Sequence, residues 1–336
     1  MEGKNTTISE EMCKKIKTPE EMKKLCKKLQ AQIVEYMLKK YKSEILEGKE
    51  PSEFPTMYII GGQNASGKSK LISMLKQKNS NTVSVIIDDM KAHHPFRQFI
   101  DKNFPSQSEE ILHLACFEVF DRLLKDLLDS NYDITIERTL GSKEKMRKFI
   151  VEPSNHNYDI QIHVTATHEI NSLIAALERF ICECILKDEF ISKNADLKID
   201  PRPIALEHHD NTCANICDVI NDAENGCFKN DRGERIYPQV HIWDRTPGKP
   251  SEIYTTGDGR FSCAKEAMYF GREKDLKRCK SKKEYGYQTR INNIKEELAS
   301  AQEGSTLYEY IEYCNEFLSE IKRRGTTYIG NTAKSK

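Results

Sequence analysis

No apolar run of the roughly 18 residues that a membrane-spanning helix needs occurs in the 336-residue chain, so no span is expected. There is no excess of either charge: lysine plus arginine and aspartate plus glutamate number 52 each. Proteins that bind nucleic acid over a broad surface usually carry a basic excess, so that partner is not expected. Met1-Glu2-Gly3-Lys4-Asn5 is followed by no apolar signal segment. The 11 cysteines show no framework spacing, and they are read as free thiols of a reducing cytosol. Internal repeats and low-complexity segments are also lacking. The length suits one large α/β domain, with or without helical additions.

What the chain does have is G-x-x-x-x-G-K-S, running Gly62, Gln63, Asn64, Ala65, Ser66, Gly67, Lys68, Ser69. The apolar run Met57-Tyr58-Ile59-Ile60 precedes it, and the helix-like Leu71-Ile72-Ser73-Met74-Leu75 follows. That is the strand–loop–helix setting of a phosphate-binding loop. Gly62 and Gly67 let the backbone curl so that N–H groups point at phosphate oxygens. The new helix starts near Lys68, and its dipole favours the same anion. Lys68 would reach the β- and γ-phosphates, and the Ser69 hydroxyl would hold Mg²⁺. ATP and Mg²⁺ are the cofactors implied.

Taken in order, Thr18-Pro19-Glu20-Glu21 is a helix start with a capping box. Met22, Leu25, Leu29, Ile33, Met37 and Tyr41 then make one apolar stripe on a long helix. Thr82–Ile87 reads as a buried strand ending in Asp88-Asp89. A helix is expected over Glu109–Asp129, then a strand over Asp133–Glu137, a helix near Glu144–Ile150 and a strand over Ile160–Thr165. Further helices are expected from Ile170 and over Ile204–Asp222, with a loop over 188–203 between them. Gln239–Arg245 reads as a fifth strand that Ser251–Thr255 can pair beside. The last quarter is charged and helical, clearest at Arg290–Gln302 and Leu307–Arg323. The alternation predicts an α/β fold: a P-loop NTPase-like, three-layer parallel sheet with N- and C-terminal helical extensions. The expected divisions are a helical segment over 1–54, a kinase domain over 55–258 and a helical extension over 259–336.

Transfer of a γ-phosphoryl group to a hydroxyl needs a base, Mg²⁺ and positive groups around the moving phosphoryl. Asp88, one strand over from the loop, is placed to be the base; Asp89 is the near alternative, since strand alternation lets only one face the site. The other role open to Asp88 is that of a metal ligand. Glu137 and Thr139 end the next strand and point the same way, suited to a sugar hydroxyl or a metal-bound water. Alternatively they cap the following helix. Arg179 lies on an otherwise apolar helix, and Arg202 is stiffened between Pro201 and Pro203. Each is either a surface residue or a phosphate-clamping arginine.

These residues, in order over most of positions 40–250, resemble the zeta toxin family of bacterial toxin–antitoxin kinases. The matching motifs are Gly61-Gly62-Gln63 with Gly67-Lys68-Ser69, Ile87-Asp88 with His94-Pro95, and Ile136-Glu137-Arg138-Thr139. They continue with Ile170-Asn171-Ser172, Glu178-Arg179-Phe180, Pro201-Arg202 with His209-Asp210, and Ile242-Trp243-Asp244-Arg245. The resemblance implies an ATP- and Mg²⁺-dependent kinase that phosphorylates the amino-sugar 3′-hydroxyl of UDP-N-acetylglucosamine, with an antitoxin protein as partner. By the same resemblance Lys68 is the Walker lysine and Asp88 the base. Glu137 and Thr139 line the substrate pocket, and Arg179 and Arg202 contact ATP phosphates. Asp121 falls where the family places a substrate-binding glutamate. The chain departs from the family at Asn64-Ala65, where Pro-Gly is common, at Lys70, and at Arg138, which puts a large cation beside the expected sugar pocket.

Two clusters imitate other chemistry. His208, His209, Cys213 and Cys217 have the look of a metal site, but Cys213, Ile216, Cys217 and Ile220 form a helical apolar face. Cys182 and Cys184, two apart on a helix, do not face each other. The competing functions are a kinase of another UDP-sugar, a nucleoside or an antibiotic; a silent protein whose role is to bind an antitoxin; and a nucleotide-dependent switch. In one variant of the silent protein the helix within 1–50 lies over the ATP cleft. The more economical expectation for it is an ordinary packing helix.

Overall fold

The computed structural model describes residues 10–104, 107–192, 201, 203–245, 249–281 and 286–329. After a short 3-10 turn come α1 (Pro19–Lys28), α2 (Gln30–Ile45), β1 (Thr56–Gly61), α3 (Lys68–Lys78), β2 (Val83–Val85) and α4 (Ile87–Met90). Next are α5 (Arg97–Asn103), α6 (Ser108–Asp129), β3 (Ile134–Arg138), α7 (Lys143–Asn155), β4 (Asp159–Ala166), α8 (Glu169–Ser192) and α9 (Leu206–Glu224). A small hairpin of β5 (Phe228–Lys229) and β6 (Arg235–Ile236) leads into β7 (Gln239–Asp244) and β8 (Ser251–Thr255). The chain closes with α10 (Ala264–Cys279), α11 (Tyr287–Ser300), α12 (Thr306–Glu309) and α13 (Ile311–Ile329).

Six strands form one sheet in the order β2-β3-β1-β4-β7-β8. All pairings are parallel except that of the edge strand β8, which pairs beside β7 as expected but runs antiparallel to it. The expected parallel α/β sheet flanked by helices is therefore what forms. Met57, Ile59, Val85, Ile136, Ile162, Val164, Val240 and Ile242 face one side and share a core with α6, α7, α9 and α10. The other side holds Ile60 and Trp243, packed on Leu71 and Ile72 of α3. A second apolar cluster joins α8 to the C-terminal helices through Leu173, Leu177, Phe180, Ile291, Ile294, Phe317 and Ile321.

The N-terminal stripe has a definite partner. Thr18 caps α1 by accepting from the Glu21 N–H at 3.2 Å, while Glu21 accepts from the Thr18 N–H in return. One long helix was expected; the backbone instead breaks at Leu29 (φ −101°, ψ 12°) into α1 and α2. The stripe stays in phase across the break, and Met22, Leu29, Ile33, Met37 and Tyr41 are all buried in the sheet's own core. Gln30 Nε2 donates to the Leu114 carbonyl of α6, and Lys42 pairs with Asp126 at 2.9 Å. The N-terminal helices thus pack against α6 and the β2 edge, as ordinary packing helices do. Among the described residues no helix is long and apolar enough to cross a membrane.

Candidate active site

The carboxyl ends of β1, β3 and β4, with α4 just beyond β2, meet at one edge of the sheet, where α/β proteins bind ligands. Between β1 and α3 the loop turns through Gly62 (φ +151°), Ala65 (φ +56°) and Gly67 (φ +97°). A Cβ on Gly62 would stand 2.5 Å from Thr165 Oγ1, so glycine is required there for space as well as for φ. Ala65 takes the left-handed conformation with a side chain in place, a local strain of ~1–2 kcal/mol.

Side chains hold the loop in this shape. Gln63 Nε2 donates to the Thr167 carbonyl at 2.7 Å and lies 3.3 Å from Ser172 Oγ. Thr165 Oγ1 donates to Ser66 Oγ at 2.8 Å, and Thr167 Oγ1 donates to the Ser66 carbonyl at 2.9 Å. Gln63 and Ser66 therefore spend their side chains on the β4–α8 junction, and the loop offers an anion its backbone. Lys68, only 7% exposed, donates to the carbonyls of Gly62 and Gln63 at 2.9 and 3.0 Å. Glu137 Oε1 is 3.5 Å from its Nζ. Burial lowers the Lys68 pKa, while the charges of Glu137 and Asp88 oppose that shift and Arg179 adds to it. Ser69 is exposed in the first turn of α3.

Asp88 and Asp89 are not on a strand, contrary to the reading of Thr82–Ile87. β2 ends at Val85, and the two acids occupy the short helix α4. The cause lies in α2: Tyr41 Oη accepts from the Ile86 N–H at 3.1 Å and approaches the carbonyls of Ser84 and Ile86. Those backbone groups are thereby drawn away from strand pairing. The rule that only one of the two acids can face the site no longer applies. Asp88, half exposed, bonds Lys91 Nζ at 2.8 Å, and Lys91, 4% exposed, reaches Glu109 of α6 at 2.5 Å. Burial raises the Asp89 pKa, Lys76 opposes, and Asp88 and Glu137 add to the rise.

At the end of β3, Glu137 faces Lys68 and Arg138 turns to the other side of the sheet. The Arg138 guanidinium lies 4.1 Å from the centroid of Phe120 and 4.2 Å from that of Phe149. The Arg138 guanidinium therefore stacks between these two rings, on the opposite side of β3 from the Glu137 carboxylate. Burial brings its pKa down to about 10, against the opposing charges of Asp121 and Glu137. Thr139 follows, partly buried. Neither Glu137 nor Thr139 caps α7, because Ser142 does so, accepting from the Lys145 N–H at 3.3 Å.

The structure thus gathers Lys68, Asp88, Asp89, Glu137 and Arg179. Arg179, half exposed on α8, has Glu183 at 3.5 Å. Asp121 is not in this group: it pairs with Lys148 of α7 at 2.8 Å on the outer helical layer. Arg202 lies outside the described residues. Sequence reasoning missed Lys91, which stands three residues after Asp88 and would have been found once α4 was known to be helical. Glu109 carries no local signal. A cavity of about 230 Å³ at the other end of α3, lined by Tyr58, Lys78, His163 and Trp243 among others, is remote from Lys68.

The residues fit ATP and Mg²⁺. Gln63 and Ser66 turn their side chains onto the β4–α8 junction, which leaves the loop its backbone to offer an anion, and Lys68 stands at its base. Mg²⁺ needs few protein ligands because it keeps waters and phosphate oxygens. The Ser69 hydroxyl suits that, and among the described residues no group of three or more acidic, histidine or cysteine side chains forms a dedicated metal cage. His208, His209, Cys213 and Cys217 only imitate a metal site, and the apolar helix face expected there is what forms: Cys213, Ile216, Cys217 and Ile220 are buried along α9. His209 is fully buried with Nε2 2.8 Å from Ser172 Oγ, whereas His208 is exposed.

A family model described as zeta toxin matches residues 42–246. The chain is similar to Toxin zeta of Enterococcus hirae, 26% identical over 173 residues, 49% of this chain and 59% of that protein. It is similar to Toxin PezT of Streptococcus pneumoniae serotype 4 at 26% over 168 residues, 49% of this chain and 62% of that one. The match therefore spans about three-fifths of these relatives' length. In fold it is similar to a chain of the solved PezAT chromosomal toxin–antitoxin system of Streptococcus pneumoniae. The TM-score is 0.55 at 16% identity, covering 87% of this chain and 97% of that one.

Proposed function

The chain belongs to the zeta toxin family, and from that premise we propose that it is an ATP- and Mg²⁺-dependent kinase of a small-molecule hydroxyl. The acceptor we favour is the amino-sugar 3′-hydroxyl of UDP-N-acetylglucosamine, and the role we favour is that of a toxin restrained by an antitoxin protein. The carrying observation is the convergence on Lys68: Glu137 lies at 3.5 Å, and Asp88 and Arg179 are near enough to act on its charge.

Bound MgATP supplies the phosphoryl group and the metal charge that offsets it. The backbone of residues 62–69 and Lys68 hold the phosphates, and the Ser69 hydroxyl holds the metal. Asp88 takes the acceptor's proton on a carboxylate oxygen, with Lys91 fixing that carboxylate in place. Arg179 meets the charge on the transferred group, and Arg202 joins it in the same reading. Glu137 and Thr139 bond the sugar. Arg138 supports this acceptor by standing clear of the cleft between Phe120 and Phe149. Asp121 is left out, because Lys148 holds its carboxylate.

The test is phosphate transfer. Purified protein with MgATP and a panel of UDP-sugars, nucleosides and nucleotides is analysed for an acceptor that gains one phosphate by mass, with Lys68→Ala as the blank. A gain on UDP-N-acetylglucosamine alone supports the full reading. A gain on another acceptor keeps the kinase and removes the substrate. No gain on any acceptor, with ATP bound, removes both.

A further inference from the structure

Arg245 follows the last residue of β7, and its side chain lies along the phosphate-binding loop. Its Cγ and Nε are each 3.8 Å from the place a Cβ on Gly67 would occupy. Gly67 is the N-cap of α3, so this guanidinium borders the stretch of backbone that would cradle phosphates.

The charges around it are already satisfied by one another. Asp244, fully buried, takes Lys274 at 2.7 Å and both terminal nitrogens of Arg278. Asp275, 1% exposed, accepts from Asn171 Nδ2 at 2.9 Å, from the His168 N–H at 2.9 Å and from Arg278 at 3.3 Å. Arg290 grips Glu178 through Nε at 2.7 Å and Nη2 at 2.5 Å, and bonds Asn171 with Nη1. Arg245 is different. Its Nη1 is buried and has no hydrogen-bond partner among the described residues. Burial lowers its pKa, with Asp275 opposing and Arg290 adding to the fall. A buried guanidinium donor left unpaired is costly and calls for an acceptor. Among the described residues Nη1 meets no acceptor, while the loop beside it is shaped for an anion.

We propose that Arg245 is a nucleotide-binding residue, donating from its guanidinium to the phosphate chain of the nucleotide held by residues 62–69. This rests on the kinase reading and adds a cation from the β7 side, opposite the Asp88 and Glu137 side of Lys68. It also gives the C-terminal helices a task. Lys274 and Arg278 of α10 and Arg290 of α11 pair with the acids Asp244, Asp275 and Glu178, so that the charge of Arg245 is kept for the ligand.

The experiment is calorimetric titration of ATP into the full chain as wild type, Arg245→Gln, Arg245→Lys and Lys68→Ala, each checked by circular dichroism and melting. We expect Arg245→Gln to weaken ATP binding by about 10–100-fold, the scale of one or two charge-assisted hydrogen bonds. Arg245→Lys, which keeps a charge and loses the planar fork, falls between it and wild type. It also serves if the glutamine variant does not fold. ATP affinities of the folded Arg245 variants within about threefold of wild type, with Lys68→Ala clearly weakened, overturn the proposal and leave the kinase reading intact. A wild type that binds no ATP, or a Lys68→Ala variant that binds it equally, overturns both.

Discussion

Arg138 decides whether the departure from the family's Glu-x-Thr pattern bears on the acceptor, and its substitution can be worked from the structure. Its guanidinium is sandwiched at 4.1 and 4.2 Å from two ring centroids. Two such stacks away from water contribute ~1–4 kcal/mol together. Against that, Arg138 Nε is buried without a hydrogen-bond partner among the described residues. That orphan costs ~1–3 kcal/mol. The two terms nearly cancel, so the residue's net value lies mostly in filling the space between Phe120 and Phe149. Arg138→Ala empties that space as well as losing the stacks, and we expect a net loss of ~2–4 kcal/mol. Arg138→Met refills it with a thioether that suits aromatic neighbours and carries no orphaned donor, and we expect stability within ~1 kcal/mol of wild type. Urea titration of both variants gives the stabilities, and steady-state phosphotransfer gives KM for acceptor and ATP. In Arg138→Met the acceptor KM should stay within a few-fold of wild type. A tenfold or larger rise in acceptor KM, with ATP KM and stability unmoved, would refute the reasoning and place the guanidinium in the pocket.

Asp88→Asn should retain ATP binding and lose phosphotransfer by ~10²–10⁴-fold; if Asp89→Asn shows that loss instead, the base is Asp89. Lys91→Met leaves Asp88 and Glu109 without the cation between them. Both carboxylates reach solvent, so the cost in a urea titration should be ~1–2 kcal/mol, below that of a fully buried pair, and kcat should fall with ATP KM unchanged. The α13 clasp should be acid-sensitive. Arg324 bonds Asp210 at 2.6 Å and Glu320 at 2.7 Å, lowering the Asp210 pKa from 3.8 and, with Arg323, bringing Glu320 from 4.5 to about 2. Depressed carboxylates contribute stability that is complete above their unfolded values and is lost as pH falls through the folded ones. Arg324→Gln should therefore cost ~0.5–2 kcal/mol above pH ~5 and almost nothing near pH ~2, read by thermal melting across that range.

What was legible in the sequence was what a few neighbouring residues encode. The strand, the glycines and the Lys-Ser pair of the phosphate-binding loop sit within fourteen consecutive positions, and the strand–helix alternation repeats a period of two against 3.6. Alternation would also have turned Arg138 away from the side of Glu137, against the expectation that set it beside the sugar pocket, and Phe120 and Phe149 could not be foreseen as its neighbours. Interactions that join distant elements were not legible. Tyr41 ends β2 from 45 positions away, and Lys91 meets a glutamate 18 positions on. Counting back from Glu137 to Asp121 failed for the same reason: the count crosses a helix whose rotation decides which side chain faces the cleft.

The helix α10 shows the limit from another side. An amphipathic helix is recognised by apolar residues on one face, yet Asp275 occupies a buried position of α10 at 1% exposure. It can be there only because Asn171, the His168 N–H and Arg278 satisfy its carboxylate, and two of those three lie on or just before α8, more than a hundred residues earlier. The acid that hides the helix from a periodicity search is also what fastens it to the β4–α8 junction, the same junction that holds Gln63 and Ser66 of the loop. It follows that Asp275→Leu, which would restore the apolar stripe and strengthen the sequence signal, should weaken the protein. It leaves Asn171, the His168 N–H and one side of Arg278 unpaired at ~1–3 kcal/mol each where they stay buried. Burying a leucine returns only ~1.5–3 kcal/mol. A urea titration in which Asp275→Leu is as stable as wild type would show that this acid is incidental to the fold.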